Sequence, residues 1–143
     1  MARIILAEDD EIVGEIVRDT LMDAGHAVGW CKDGRSALDA IRFRPPHLAI
    51  LDQRMPEMSG IEVLRSMRIS KELAMVPVLM LTAVRTDADQ SIAYYDGADD
   101  YITKPCNMEQ LLFRADRLIK GAMRRTSGME GMPQLSKMVS RPV

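Results

Sequence analysis

His47-Leu48-Ala49-Ile50-Leu51-Asp52 is a short run, apolar from Leu48 onward, that stops on a carboxylate. A run this short and continuously apolar suits a strand covered on both faces, as in a parallel sheet flanked by helices. Outward from it the pattern recurs. Ile4-Ile5-Leu6-Ala7 stops on Glu8 and Asp9, Val78-Leu79-Met80-Leu81 stops on Thr82, and Tyr101-Ile102-Thr103 stops on Lys104. Longer stretches of helical periodicity separate these runs, so the chain reads as repeated strand-helix units around a parallel sheet.

Residues 3–7 are predicted as the first strand. From Asp10 to Ala24 the positions Ile12, Val13, Ile16, Val17, Leu21 and Ala24 form a helical stripe, with Asp10 as cap or first-turn acid and Gly25 as the stop. Residues 27–31 read as a weaker strand, and 34–43 as a short helix closed by Pro45-Pro46. After the strand over 47–51, Pro56, Ser59 and Gly60 punctuate a loop before a helix over 61–70, and Pro77 opens the fourth strand. Residues 86–96 suggest a more polar helix and 99–103 a last strand. Asn107 is placed to cap a helix running to about Arg125, with Gln110 set for a capping box. Right-handed crossovers put such helices on both faces, and the carboxyl ends of the strands line one crevice.

Composition narrows the function. With 143 residues and 47% hydrophobic content the chain suits one core rather than two. A net charge of −2 gives no global field for nucleic acid or an anionic membrane. Cys31 and Cys106 lack the spacing of a zinc or redox motif and read as reduced thiols of a cytoplasmic protein. Glu8 interrupts the first apolar run at once, so neither a signal peptide nor a membrane span is expected.

Glu8, Asp9, Asp52, Thr82 and Lys104 all fall at carboxyl ends of strands and therefore share the crevice. A single acid after a strand is most often a helix cap. Three acids, a hydroxyl and an ammonium together are hard to obtain from capping. Crowded carboxylates resist ionisation unless a cation neutralises them, and the hard, oxygen-seeking Mg²⁺ is the natural partner. In the acidic run Glu8-Asp9-Asp10-Glu11, any adjacent two could be the metal pair on spacing alone.

These residues resemble a known family. Glu8-Asp9, Asp52-Gln53-Arg54-Met55-Pro56, Thr82-Ala83 and Lys104-Pro105 look like the receiver domain of two-component response regulators, over about residues 2–124. The resemblance implies a flavodoxin-like doubly wound α/β fold with strand order 2-1-3-4-5. It implies that Asp52 accepts a phosphoryl group from a phosphohistidine on a sensor histidine kinase or histidine phosphotransfer protein. Asp9, Asp52 and the backbone carbonyl of Arg54 would hold Mg²⁺, with Glu8 acting mainly through a bound water. The family places its acid pair first after the strand, which selects Glu8 and Asp9. Lys104 would sit at the phosphoryl oxygens, aimed by a cis bond to Pro105. Thr82 and Tyr101 would be the switch pair, and the output face would span the fourth helix, fifth strand and fifth helix, about residues 86–124. Ala83 would leave room for a phosphodonor, and Arg54 and Val84 would tune the lifetime of the phosphorylated state. Cys106 departs from the apolar aromatic common there, and Trp30 reads as core or edge packing.

Residues 126–143 carry Gly, Ser and Pro without a periodic apolar face and read as a flexible tail after a receiver unit over 1–125. No DNA-binding module is legible in them. The preferred expectation is a stand-alone, non-enzymatic signalling switch without direct nucleic-acid or membrane contact. A second reading makes the chain part of a longer regulator with a DNA-binding or enzymatic output. A third, a Mg²⁺-dependent phosphohydrolase, needs a general acid two residues after the nucleophile, where Arg54 stands.

Overall fold

The computed structural model describes residues 1–83 and 97–130, the last five by backbone alone. The helix predicted over 86–96, Val84 and the end of the chain lie outside the described residues. Five strands, β1 (Arg3–Ala7), β2 (Ala27–Cys31), β3 (Leu48–Leu51), β4 (Val78–Thr82) and β5 (Asp100–Thr103), form one parallel sheet of order β2-β1-β3-β4-β5. Four helices are described: α1 (Glu11–Asp23), α2 (Gly34–Phe43), α3 (Gly60–Ile69) and α4 (Met108–Glu130). This is the predicted flavodoxin-like arrangement.

The strand interiors are largely apolar because alternate residues serve different faces. Ala7, Ala49, Leu51, Val78, Met80 and Tyr101 pack with α2 and α3, through Leu38, Ile41, Leu64 and Met67. Leu6, Leu48, Ile50, Leu79, Leu81 and Ile102 pack with α1 and α4, through Val17, Leu21, Leu111 and Ile119. Of the two edge strands, β2 carries no fully buried residue, which is why its sequence signal is weak.

Each helix start is fixed by a side chain that accepts orphan amide protons. Asp10 Oδ1 accepts from Ile12 and Val13, Asp33 Oδ1 from Ser36, Ser59 Oγ from Glu62, and Asn107 Oδ1 from Glu109 and Gln110. Several boundaries differ from the sequence reading: β3 begins at Leu48 rather than 47, β5 at Asp100 rather than 99, and α3 ends at Ile69 rather than 70. Ser59 is itself the cap, so α3 begins at Gly60 rather than 61. The last helix runs to Glu130, so the unit boundary expected at 125 falls inside it. Once nucleated, a helix adds residues at little cost, and nothing between Arg125 and Glu130 stops it as Pro would.

Candidate functional site

Backbone bonds at the strand tips bring the singled-out residues together. Past the end of β1, Glu8 donates its N–H to the Cys31 carbonyl at 3.0 Å, and Asp52 donates to Ala7 at 2.9 Å. Lys104 donates to the Thr82 carbonyl at 2.9 Å, which ties the end of β5 to the end of β4. The sheet ladder thus runs one residue beyond the strands and delivers the side chains to one rim.

Asp52 is 6% exposed. Its Oδ1 accepts from the Gln53 N–H at 2.7 Å and its Oδ2 lies 3.1 Å from Lys104 Nζ. Gln53 in turn holds the start of α3, its carbonyl accepting from Gly60 and its Oε1 from Ile61. Gly60 is required where it stands, because a Cβ there would lie 2.2 Å from the Asp52 carbonyl oxygen.

Glu8 has no solvent exposure, and its Oε1 forms an ion pair with Lys104 Nζ at 2.5 Å. Its Oε2 accepts from the Asp10 N–H at 3.1 Å. Burial pushes the Glu8 carboxyl up to about 7; the Lys104 ammonium and the Asp10 amide oppose that rise, and the Asp52 charge adds to it. Burial also works against the charge on Lys104. The carboxylates of Glu8 and Asp52 outweigh it and hold the ammonium above its usual range. Asp9 is exposed, yet one oxygen each from Glu8, Asp9 and Asp52 lie within 4.8 Å of one another. Of the acidic run, Glu8 and Asp9 face Asp52, Asp10 caps α1, and Glu11 pairs with Lys32 at 2.6 Å.

The Lys104-Pro105 bond is cis. Thr82 is 2% exposed at the end of β4, and Tyr101 is 7% exposed, packed in the cluster under α2 and α3. Arg54 is exposed in the loop after β3. Burial holds the thiols of Cys31 and Cys106 above their usual range, and both are free. No helix among the described residues is long and apolar enough to cross a membrane. Sequence reasoning assigned Trp30 to packing alone, whereas its indole Nε1 donates to the Glu8 carbonyl at 2.9 Å, directly behind the acidic pair.

An acidic rim with a lysine across it, at the carboxyl edge of a 2-1-3-4-5 sheet, has close counterparts. The family pattern described as the response regulator receiver domain matches residues 4–116. The response regulator protein PmrA of Pseudomonas aeruginosa is 38% identical over 133 residues, covering 93% of this chain and 57% of that protein. The regulatory protein VanRB of Enterococcus faecalis is 39% identical over 118 residues, covering 82% and 52%. The chain therefore spans about half the length of these relatives. Among solved structures, the receiver domain of a Syntrophus aciditrophicus signal transduction histidine kinase superposes with a TM-score of 0.79 at 31% identity, covering 85% of this chain and 92% of that one. The chemotaxis protein CheY4 of Vibrio cholerae gives 0.77 at 31% identity, covering 82% and 98%. Pattern, relatives and folds agree with the geometry of the rim: the chain belongs to the response regulator receiver domains of two-component signalling.

Proposed function

We propose that this chain is a Mg²⁺-dependent phosphorylation switch that takes a phosphoryl group onto Asp52 from a phosphohistidine of a sensor histidine kinase or phosphotransfer protein. The observation that carries the reading is the placement of Asp52 Oδ2 3.1 Å from Lys104 Nζ, with carboxylate oxygens of Glu8 and Asp9 close by. An all-oxygen donor set, with two buried acids that share one lysine among the described residues, fits a hard divalent cation. Asp9, Asp52 and the Arg54 carbonyl would hold Mg²⁺, with Glu8 acting mainly through a water. The ion supplies positive charge for the phosphoryl oxygens.

In the transfer a carboxylate oxygen of Asp52 bonds to phosphorus, the P–N bond to imidazole breaks, and the electron pair leaves with the imidazole. The product is a mixed anhydride. Such a transfer is governed by alignment and charge rather than by covalent help from the protein. Asp52 is aligned by the Gln53 amide and the Ala7 carbonyl, and Lys104 presents its charge on the same side. The chain takes the group and is not itself an enzyme acting on a separate substrate. Thr82 and Tyr101 would relay the change to the face over residues 86–124, altering which protein binds there through a shift of populations. The preferred reading is a cytoplasmic, stand-alone switch that acts through other proteins.

A second reading is favoured by the coverage of PmrA and VanRB, of which the chain spans 57% and 52%. In it these residues are the receiver of a longer regulator, and the length of the native gene decides between the two. The phosphoacceptor is tested by incubating the protein with acetyl phosphate and Mg²⁺ and locating the modification. Asp52→Ala abolishes labelling, and retained labelling moves the acceptor elsewhere.

A further inference from the structure

Trp30 lies half-buried in β2, and the parallel register pairs it with Leu6, two residues short of Glu8. Its indole leans forward along the strand and places Nε1 2.9 Å from the Glu8 carbonyl oxygen. The Glu8 N–H is meanwhile donated to the Cys31 carbonyl at 3.0 Å. Both peptide groups of Glu8 are thus pinned by β2. The next residue held is Asp10, through its amide on Glu8 Oε2 and its side chain on the first turn of α1. Asp9, exposed between these anchors, has its position set by the peptides on either side.

The ring is itself held. A Cβ at Gly14 would stand 2.1 Å from Trp30 Cζ2, so the helix carries glycine where alanine would favour it, and the indole fills the space. Arg18 and Lys32 each lie 5.3 Å from the ring centroid as cation–π partners, and Lys32 is anchored by Glu11.

We propose that Trp30 is a positioning residue for Mg²⁺: its indole N–H fixes the Glu8 carbonyl and so sets where the Glu8 and Asp9 carboxylates face Asp52. This rests on the reading that the acidic rim holds Mg²⁺. The indole does not touch the ion or the phosphoryl group. Its contribution is to order the acidic turn before the metal arrives, which spares the ion that cost on binding.

The test is isothermal titration of Mg²⁺ into the full chain, into Trp30→Phe, and into a protein carrying benzothienylalanine at position 30, which keeps the bicyclic shape and replaces N–H by sulfur. Thermal unfolding without metal is measured beside it. Loss of one hydrogen bond from the ordered turn is expected to weaken Mg²⁺ binding roughly two- to tenfold in both variants. In the isostere the metal-free midpoint should stay within a few degrees of the parent. Gly14→Ala, which pushes the indole off Glu8, should weaken binding similarly and add little further loss when combined with Trp30→Phe. Parent-like affinity in the isostere overturns the proposal, as does an affinity loss matched by an equal loss of metal-free stability, which would make Trp30 structural only. A parent chain that takes up no Mg²⁺ overturns the metal reading itself, and the proposal with it.

Discussion

Lys104 Nζ lies 2.5 Å from Oε1 of Glu8, a carboxylate with no exposure to solvent, and reaches Asp52 Oδ2 at 3.1 Å with the same ammonium. One cation therefore neutralises two acids when no metal is bound. Removing one member of a buried ionic group leaves the other charges without compensation. Lys104→Ala is expected to lower metal-free stability by roughly 2–4 kcal/mol at pH 8, and saturating Mg²⁺ should recover much of it. Urea unfolding with and without Mg²⁺ checks this, and an equal loss in both would show that the ion does not replace the ammonium. The same variant should still be labelled at Asp52 yet show a blunted response at Thr82 and Tyr101 by NMR.

The Glu8 carboxyl titrates near 7 in the fold against 4.5 in an unstructured chain. The native state thus binds its proton more tightly than the unfolded state does. In EDTA, stability contributed by protonated Glu8 is fully present below pH 4.5 and is lost as pH rises through about 7, a decline on the order of 3 kcal/mol. Glu8→Gln should flatten this decline, make the metal-free protein more stable than the parent at pH 8, and weaken Mg²⁺ binding. Denaturant midpoints across pH 4.5–8 are the measurement, and an unchanged slope would assign the decline to other groups.

Gly60 approaches the Asp52 carbonyl too closely for any side chain. Gly60→Ala must push α3 away from the end of β3, with an overpacking cost of about 1–3 kcal/mol. Because Gln53 links the two elements, the rate of labelling by acetyl phosphate should fall as well. A variant that is destabilised but labelled at the parent rate would uncouple α3 from the alignment of Asp52.

Arg68 provides a contrast remote from the rim. Its guanidinium donates to the carbonyls of Gly97, Ala74 and Val76 and pairs with Asp99 at 3.0 Å, joining the end of α3 to the approaches of β4 and β5. Arg68→Ala should cost about 2 kcal/mol or more by leaving several carbonyls unsatisfied, while the Mg²⁺ dissociation constant stays within twofold. Calorimetry on both proteins checks the pair of outcomes.

The fold was legible because its central strands β3 and β4 are buried on both faces, so Leu48–Leu51 and Val78–Leu81 read as unbroken apolar runs that end on chemistry. Capping residues were equally legible, since Asp10 and Asn107 act locally. The acidic run could not be resolved from spacing, because four adjacent acids differ only in which direction the turn aims them. The bond from Trp30 to Glu8 spans 22 residues and needs a glycine in a facing helix, a coincidence with no periodic signature. Helix α4 outruns the expected end near Arg125 because a helix without a proline stop keeps its hydrogen bonds beyond Ile119, the last buried side chain among its described residues.

Helix α4 opens four residues after Lys104 and continues for 23 residues. At 1.5 Å per residue it is a rod of about 34 Å, so a tilt of about 5° at Pro105–Asn107 would carry its far end through about 3 Å. A rearrangement of atomic size at the acidic rim that tilted this helix would thereby be amplified mechanically at Glu130.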